Sequence, residues 1–361
     1  MKKVTAVLLV LVLLLAGCGA PAQTTDGTTM GTVLDLFTQP ATEHPLTTAP
    51  KSTVPIKPNG NAGNYFGIAN DVQKDELGSY LVYEGGEMHL LLRMRIAELN
   101  DKNIGIHLYV DGQPQPYATS KNETAQYMHA FPSMNGEEFT LDLVFTPVTG
   151  QAGDMLEIGF AVVAYPEYFI DDAWAGITMA DWCAMGLTVR TKYLADPPVV
   201  ELPEVSDRVI QLSREYIDLT AAEAEMFNSG EYQKEVEYES YVNNRKSYGN
   251  LFSVTDDDKL ELVFELKGST VADFGLVLYL DNQPVSVSAE DVIFVRTQNG
   301  KKMTVKAQID LSGFDGEGVF YAVIVPRNYR SDQLGGSCLL TILGPYYLSG
   351  AESMEALQGS D

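Results

Sequence analysis

The sequence predicts an all-β protein: two tandem antiparallel β-sandwich domains, Ig-like or jelly-roll-like, related by an internal repeat and joined by a partly helical linker. The first observation behind this is a repeated segment. Residues 104–114 read IGIHLYVDGQP and residues 274–284 read FGLVLYLDNQP. The second is apolar alternation with period two, the mark of half-buried strands. The third is the regular return of turn residues between such segments, with no helical period inside either copy.

The repeat extends outward in order. Gly63-Asn64-Tyr65-Phe66 resembles Gly249-Asn250-Leu251-Phe252, and Met88–Met94 resembles Leu260–Leu266. Phe139–Phe145 resembles Met303–Ile309, and Phe160–Pro166 resembles Phe320–Pro326. Thr188-Val189 with Tyr193-Leu194 resembles Thr341-Ile342 with Tyr347-Leu348. These matches set the domains at 61–196 and 244–350, with about seven to nine strands each. Met88, Leu90, Leu92 and Met94 alternate with His89, Leu91, Arg93 and Arg95, and Leu260, Leu262, Phe264 and Leu266 do the same in the second copy. Asp111-Gly112 and Asp281-Asn282 follow strands and read as tight hairpin turns.

Between the copies, residues 197–243 form an acidic linker opened by Pro197-Pro198 and Pro203. Val209, Leu212, Tyr216, Leu219, Glu223 and Phe227 stand near helical spacing, which predicts a helix over 207–228. Ser206 or Asp207 would cap its start and Gly230 its end. The frequency of Val, Ile and Tyr also permits a strand through 208–219. Residues 351–361 are a polar tail.

The N-terminus carries the most specific motif. Lys2 and Lys3 precede an apolar run from Ala6 to Leu15, closed by Leu15-Ala16-Gly17-Cys18. A cationic start, an apolar core and small residues describe a secretory signal peptide. The run is shorter than the ~20 residues that span a membrane. Leu15-Ala16-Gly17-Cys18 resembles the bacterial lipobox. That resemblance implies that residues 1–17 are removed and that Cys18 is acylated, palmitate included. It also implies anchorage to the cell envelope through the N-terminal lipid, outside the cytoplasm. Residues 18–60 are rich in Thr and Pro, too poor in apolar area to offset ordering entropy, and read as a disordered tether. Val33-Leu34-Asp35-Leu36-Phe37 is an apolar island within it, a short helix or a strand docking elsewhere.

The formal charge is −25, from 24 basic and 49 acidic residues. Loss of residues 1–17 removes two lysines and leaves 22 against 49, or −27. Such a polyanion repels nucleic acid, which is excluded as a partner. The remaining partners are the membrane, a glycan or a surface protein. Cys183 and Cys338 sit in apolar surroundings, one in each copy, and read as small buried residues rather than a bridge. The histidines do not converge. On a hairpin of residues 88–110 centred near Asn100, His89 would lie opposite Val110 and His107 opposite Leu92, both on outward faces. The folded part has no nucleophile elbow, zinc-protease motif or phosphate loop, so a catalytic role is not expected. The 49 acids leave open a hydrolase with a carboxylate pair. Asp256-Asp257-Asp258 and Asp171-Asp172 are the densest acidic clusters and could hold calcium, but they lack the alternating spacing of a calcium loop and read first as solvated turns; no other cofactor is expected. The candidate ligand surface is aromatic. Tyr165, Tyr168, Trp174 and Trp182 share one segment with Asp171, Asp172 and Asp181, inserted after a strand that both copies possess. Flat rings beside carboxylates suit stacking on sugars, and they equally suit capping the open end of a sandwich. The candidate roles are a binding or adhesion module, a structural spacer, or a hydrolase.

Overall fold

The computed structural model describes residues 65–350 apart from 77, 96–102, 120–122, 133–136, 165, 167–184, 229–235, 243–250, 255–258, 269–270, 288–291, 313, 315–316 and 328–340. The described chain is nearly all β. Its N-terminal half supplies β1 (Tyr65–Ile68), β2 (Gln73–Asp75), β3 (Gly78–Tyr83), β4 (Met88–Arg95), β5 (Asn103–Val110), β6 (Gln113–Gln115), β7 (Met128–Pro132), β8 (Glu138–Phe145), β9 (Met155–Ala164) and β10 (Met185–Tyr193). There follow β11 (Ser206–Asp218), helix α1 (Ala221–Asn228), β12 (Val236–Val242), β13 (Leu251–Val254), β14 (Lys259–Gly268), β15 (Asp273–Leu280) and β16 (Gln283–Val287). The last strands are β17 (Ile293–Arg296), β18 (Lys301–Asp310), β19 (Glu317–Arg327) and β20 (Thr341–Gly350).

In the N-terminal half, a 3-stranded sheet runs β1-β4-β8, and a 7-stranded sheet runs β2-β3-β10-β9-β5-β6 with β7 also on β5. The C-terminal half is one 10-stranded sheet, β12-β14-β18-β11-β16-β15-β19-β20-β13, with β17 also on β15. The neighbour relations recur. β4 pairs antiparallel with β8 as β14 does with β18. β5 pairs with β6, β7 and β9 as β15 does with β16, β17 and β19. β10 lies parallel to β3, and β20 parallel to β13.

The predicted inward sets are the cores. Leu90, Leu92, Met94, Phe139, Leu141 and Leu143 are fully buried with Ile104, Ile106, Ile158 and Phe160. Leu260, Leu262, Phe264, Leu266, Val305 and Ile309 form the equivalent cluster. Each such side chain contributes roughly 1.5–3 kcal/mol by leaving water. The hairpin turns are also as read. Asp111 and Gly112 have φ of 47° and 78°, and Asp281 and Asn282 have 49° and 65°, the doubly left-handed backbone of a type I′ turn.

Several sequence expectations are corrected. The helix over 207–228 is a strand, β11, followed by the short α1. β11 pairs antiparallel with β18 and parallel with β16, so sheet pairing outweighs a chance helical spacing. Tyr216, which a helix would bury with Val209, is 38% exposed. The cap of α1 is Thr220: its hydroxyl donates to Glu223 Oε2 at 2.7 Å and accepts from the Glu223 N–H at 3.3 Å. This is a Thr-x-x-Glu capping box. Tyr65-Phe66 and Leu251-Phe252 are not counterparts, because β1 borders β4 whereas β13 borders β20. Short apolar runs look alike, and only their partners distinguish them. Thr188 lies opposite Gly159 but Thr341 opposite Ile324, so that match was out of register. β4 and β5 form no hairpin. They belong to different sheets, because β8 takes the place beside β4.

Replacing Thr220 by Ala should cost about 1 kcal/mol. A urea unfolding curve with an unchanged midpoint would show that the box contributes nothing.

Candidate functional site

The two halves meet along a buried seam built by strand alternation. On β5, Ile104, Ile106 and Leu108 face their own core, which turns Gly105, His107 and Tyr109 the other way. On β15 the same alternation turns out Gly275, Val277 and Tyr279. Tyr109, Ala161, Val163, Val277, Tyr279, Val319, Tyr321, Val323 and Val325 form one buried cluster drawn from both halves. At its centre the Tyr279 hydroxyl donates to the Tyr109 hydroxyl at 2.9 Å. The Tyr279 and Tyr321 rings stack with centroids 5.0 Å apart. The backbones touch at Gly112 and Gly275: a Cβ on Gly275 would stand 2.2 Å from the Gly112 carbonyl oxygen.

The seam has polar clamps at its two ends. Arg327 donates from Nε to the Asp111 carbonyl at 2.9 Å and from Nη2 to Asp111 Oδ2 at 2.7 Å. Its guanidinium also lies 3.9 Å over the Phe294 ring. At the other end Asn282 donates from Nδ2 to the Pro166 carbonyl at 2.8 Å.

His107 is fully buried in this seam. Its Nδ1 is 3.1 Å from the Tyr127 carbonyl and its Nε2 is 2.6 Å from the Tyr321 hydroxyl. Burial pushes its pKa down to about 3, against a smaller opposite pull from the Tyr127 carbonyl. The neutral ring therefore donates from Nδ1 and accepts at Nε2. The same hydroxyl lies 2.9 Å from Asn282 Oδ1, and its one proton serves either that oxygen or His107 Nε2 at a given moment. Glu157 lies at the rim, on β9 opposite Arg190. Burial raises its carboxyl to about 8, although Arg190 and a Thr188 hydrogen bond favour the charged form.

The sequence-chosen site residues Tyr165, Tyr168, Asp171, Asp172, Trp174, Asp181 and Trp182 lie outside the described residues, as do Cys18, Cys183, Cys338 and Asp256–Asp258. The root of their segment is described. β9 ends at Ala164, β10 begins at Met185, and Met185 pairs with Val162, so residues 165–184 close a hairpin. Pro166 at its start is buried and held by Asn282.

Reasoning from sequence placed His107 on an outward face and missed that this face is covered. The signal was there: β5 and β15 are apolar on both faces, whereas β4 presents arginines outward. His89 is the exposed one, paired with Asp142 at 2.9 Å. It borders an open groove of about 620 Å³ that Asn70, Gln73, Tyr83, Glu84 and Glu87 also line. The groove offers carboxylates and amides to a polyhydroxylated or cationic ligand. Among the described residues no group of three or more His, Cys, Asp or Glu gathers as a metal site. No described helix is long and apolar enough to cross a membrane.

No protein-family model matches the sequence, and no curated protein matches it. Solved structures that align with it include BspA_C_WT, at 8% identity over 77% of this chain and 98% of that one, with a TM-score of 0.22. A chicken TCR aligns at 11% identity over 75% and 97%, with a TM-score of 0.18. CBD12 from CALX1.2 aligns at 10% identity over 75% and 96%, with a TM-score of 0.17. Scores this low carry no argument about function.

Two titrations follow from the seam. His107 is charged only in the unfolded chain, so its contribution to stability is complete above its ordinary pKa of 6.5 and is lost as pH falls toward 3. His107→Val should reduce the stability difference between pH 7 and pH 4 by on the order of 3 kcal/mol. An unchanged difference would mean that the seam holds a charged imidazole. Glu157 acts in the opposite sense. It is protonated in the fold up to about pH 8 but ionises near 4.5 when unfolded, so it weakens the fold as pH rises across that window. Glu157→Gln should therefore raise Tm more at pH 8 than at pH 5. An equal effect at both would refute the buried protonated carboxyl.

Proposed function

We propose that the chain is a lipid-anchored protein of the cell envelope, outside the cytoplasm, acting as a non-catalytic binding or adhesion module. Its ligand class is a glycan, a cell-wall polymer or a surface protein. Leu15-Ala16-Gly17-Cys18 supports the anchorage, with Cys18 as the lipidated residue. The mature chain would use no cofactor and no nucleic acid. We read the halves as tandem sandwich domains on the strength of their recurring strand neighbours, with the second reaching back from 244–350 to take in β11 and β12 of the expected 197–243 linker.

The observation that carries the binding role is the 165–184 hairpin connection. It concentrates both tryptophans of the chain, with Tyr165, Tyr168, Asp171, Asp172 and Asp181, between two paired strands whose junction is clamped at the seam. Binding residues on loops held by a rigid scaffold lose less entropy on contact. The seam itself favours a second reading, that of a structural spacer, because a buried tyrosine–histidine network holds the halves in one arrangement.

A glycan and cell-wall polymer array, probed with residues 18–361 carrying Cys18→Ser, separates the two readings. Binding by that chain and its loss in Trp174→Ala/Trp182→Ala, with Tm unchanged, is the outcome expected of a ligand loop. A loss of stability in the double variant would assign the tryptophans to packing. Silence of the parent chain across the array would move the weight to a protein partner or to the spacer.

A further inference from the structure

We propose that the apolar island of the tether, Val33–Phe37 with the residues just after it, adds a β-strand to the open edge of β8. The inference rests on a difference between the halves. In the C-terminal half the edge of β18 is covered by β11, which pairs with it from Val209↔Ile309 to Asp218↔Lys301. β11 also pairs with β16, and so joins the two layers into one sheet. In the N-terminal half the equivalent strand, β8, is the end of a 3-stranded sheet among the described residues. An isolated bridge from Ala118 covers only Val144, so the edge from Phe139 to Leu143 has no strand beside it in the described chain.

The place that β11 would fill is only partly occupied, by the Ala118 bridge to Val144. A cavity of about 170 Å³ lies there, lined by Gln115, Pro116, Val144 and Phe145 among others. Their topological counterparts are Val285, Ser286, Gln308 and Ile309, because Leu108↔Gln115 matches Leu278↔Val285 and Met88↔Phe145 matches Leu260↔Ile309. Those four are the residues that pair with Ser206, Asp207, Gln211 and Val209 of β11. The cavity therefore lies at the level where β11 begins, beside the Ala118 bridge that holds Val144.

The chain supplies one candidate in the right place. β11 comes from the segment ahead of the first strand of its own half, and the tether is the segment ahead of β1. Val33-Leu34-Asp35-Leu36 repeats the pattern Val209-Ile210-Gln211-Leu212. Val33 precedes Val209 by nearly the interval that separates Met88 from Leu260. Carried over, the register of β11 sets Leu36–Gln39 antiparallel to Thr140–Leu143, starting just past the Val144 that Ala118 holds, with Pro40 ending the pairing. The edge would gain backbone partners and lose its exposure to intermolecular pairing.

Backbone hydrogen exchange of β8 tests this in residues 18–361 carrying Cys18→Ser, with and without Leu34→Asp/Leu36→Asp. Alternate amides from Phe139 to Leu143 should exchange roughly tenfold faster or more in the double variant, with β9 and β19 still protected. Equal protection in both chains overturns the proposal. So does protection that appears only as dimers form with rising concentration, since the strand would then come from another copy. A Phe37→Cys/Asp142→Cys chain gives the independent reading: an intrachain 37–142 crosslink in the monomer supports the strand, and its absence under mild oxidation overturns it.

Discussion

The arrangement of this protein depends on burying the second faces of four strands, β5 and β9 against β15 and β19. A sheet with one solvated face needs apolar residues only at alternate positions. Here both faces of β5 are buried from Ile104 to Val110, and both faces of β15 from Phe274 to Tyr279. Every polar group on the second face must then find a partner within the seam, because an unpaired buried donor or acceptor costs about 1–3 kcal/mol. The tyrosine hydroxyls answer one another across the seam, and His107 is answered by Tyr127 on its own side and Tyr321 on the other. Glycine at 112 and 275 lets the backbones approach where a single Cβ would collide.

The seam also explains how equivalent positions have come to differ. Gly112 and Asn282 are the second residues of matching turns, and both adopt positive φ. Gly112 leaves room for the Arg327 side chain, which a Cβ there would meet at 2.5 Å. Asn282 instead carries an amide that reaches Pro166 and the Tyr321 hydroxyl. Asp281 turns its carboxylate to the Val319 N–H of its own half, whereas Asp111 turns its carboxylate to Arg327 of the other. An exact repeat would have placed the same groups at both ends of the seam. The divergence gives each end its own clamp, and each clamp sits at the start of a β-hairpin connection, 165–184 at one end and 328–340 at the other.

Much of this was legible in the residues. Alternation named the core faces of β4 and β14, and Asp-Gly and Asp-Asn named the hairpin turns. The seam was legible too, in the near-continuous apolar runs of β5, β15 and β19, but its reading requires treating an apolar outward face as covered rather than as surface. The identity of β11 was ambiguous, since Val209, Leu212 and Tyr216 satisfy both periods. The better clue stood further on, where Thr220 and Glu223 mark the true start of a helix. Register was the least readable property: Tyr65-Phe66 resembles Leu251-Phe252 locally, and only the strands beside them show that their roles differ. The candidate ligand segment was recognisable because it interrupts a shared strand pair. The relation among its rings was not, because residues 165–184 carry no periodicity that fixes one against another.

The position of β11 changes what the connection between the halves is. Within β11, Ser206–Val209 pairs with β16 and Val209–Asp218 pairs with β18, so the strand bridges the two. Displacing the strand as a whole would break both ladders, its start from β16 and its remainder from β18. The length free to bend shrinks to about 194–205, where Val199 is fully exposed and Pro197, Pro198 and Pro203 restrict the backbone. A stiff connector and a seam of fully buried side chains both act against relative motion of the halves. The C-terminal half is thus completed by chain that precedes it, and the order of synthesis delivers β11 before either of its ladder partners exists. Its pairing must wait for β16 and β18, which makes the joining of the two layers a late, non-local step of folding.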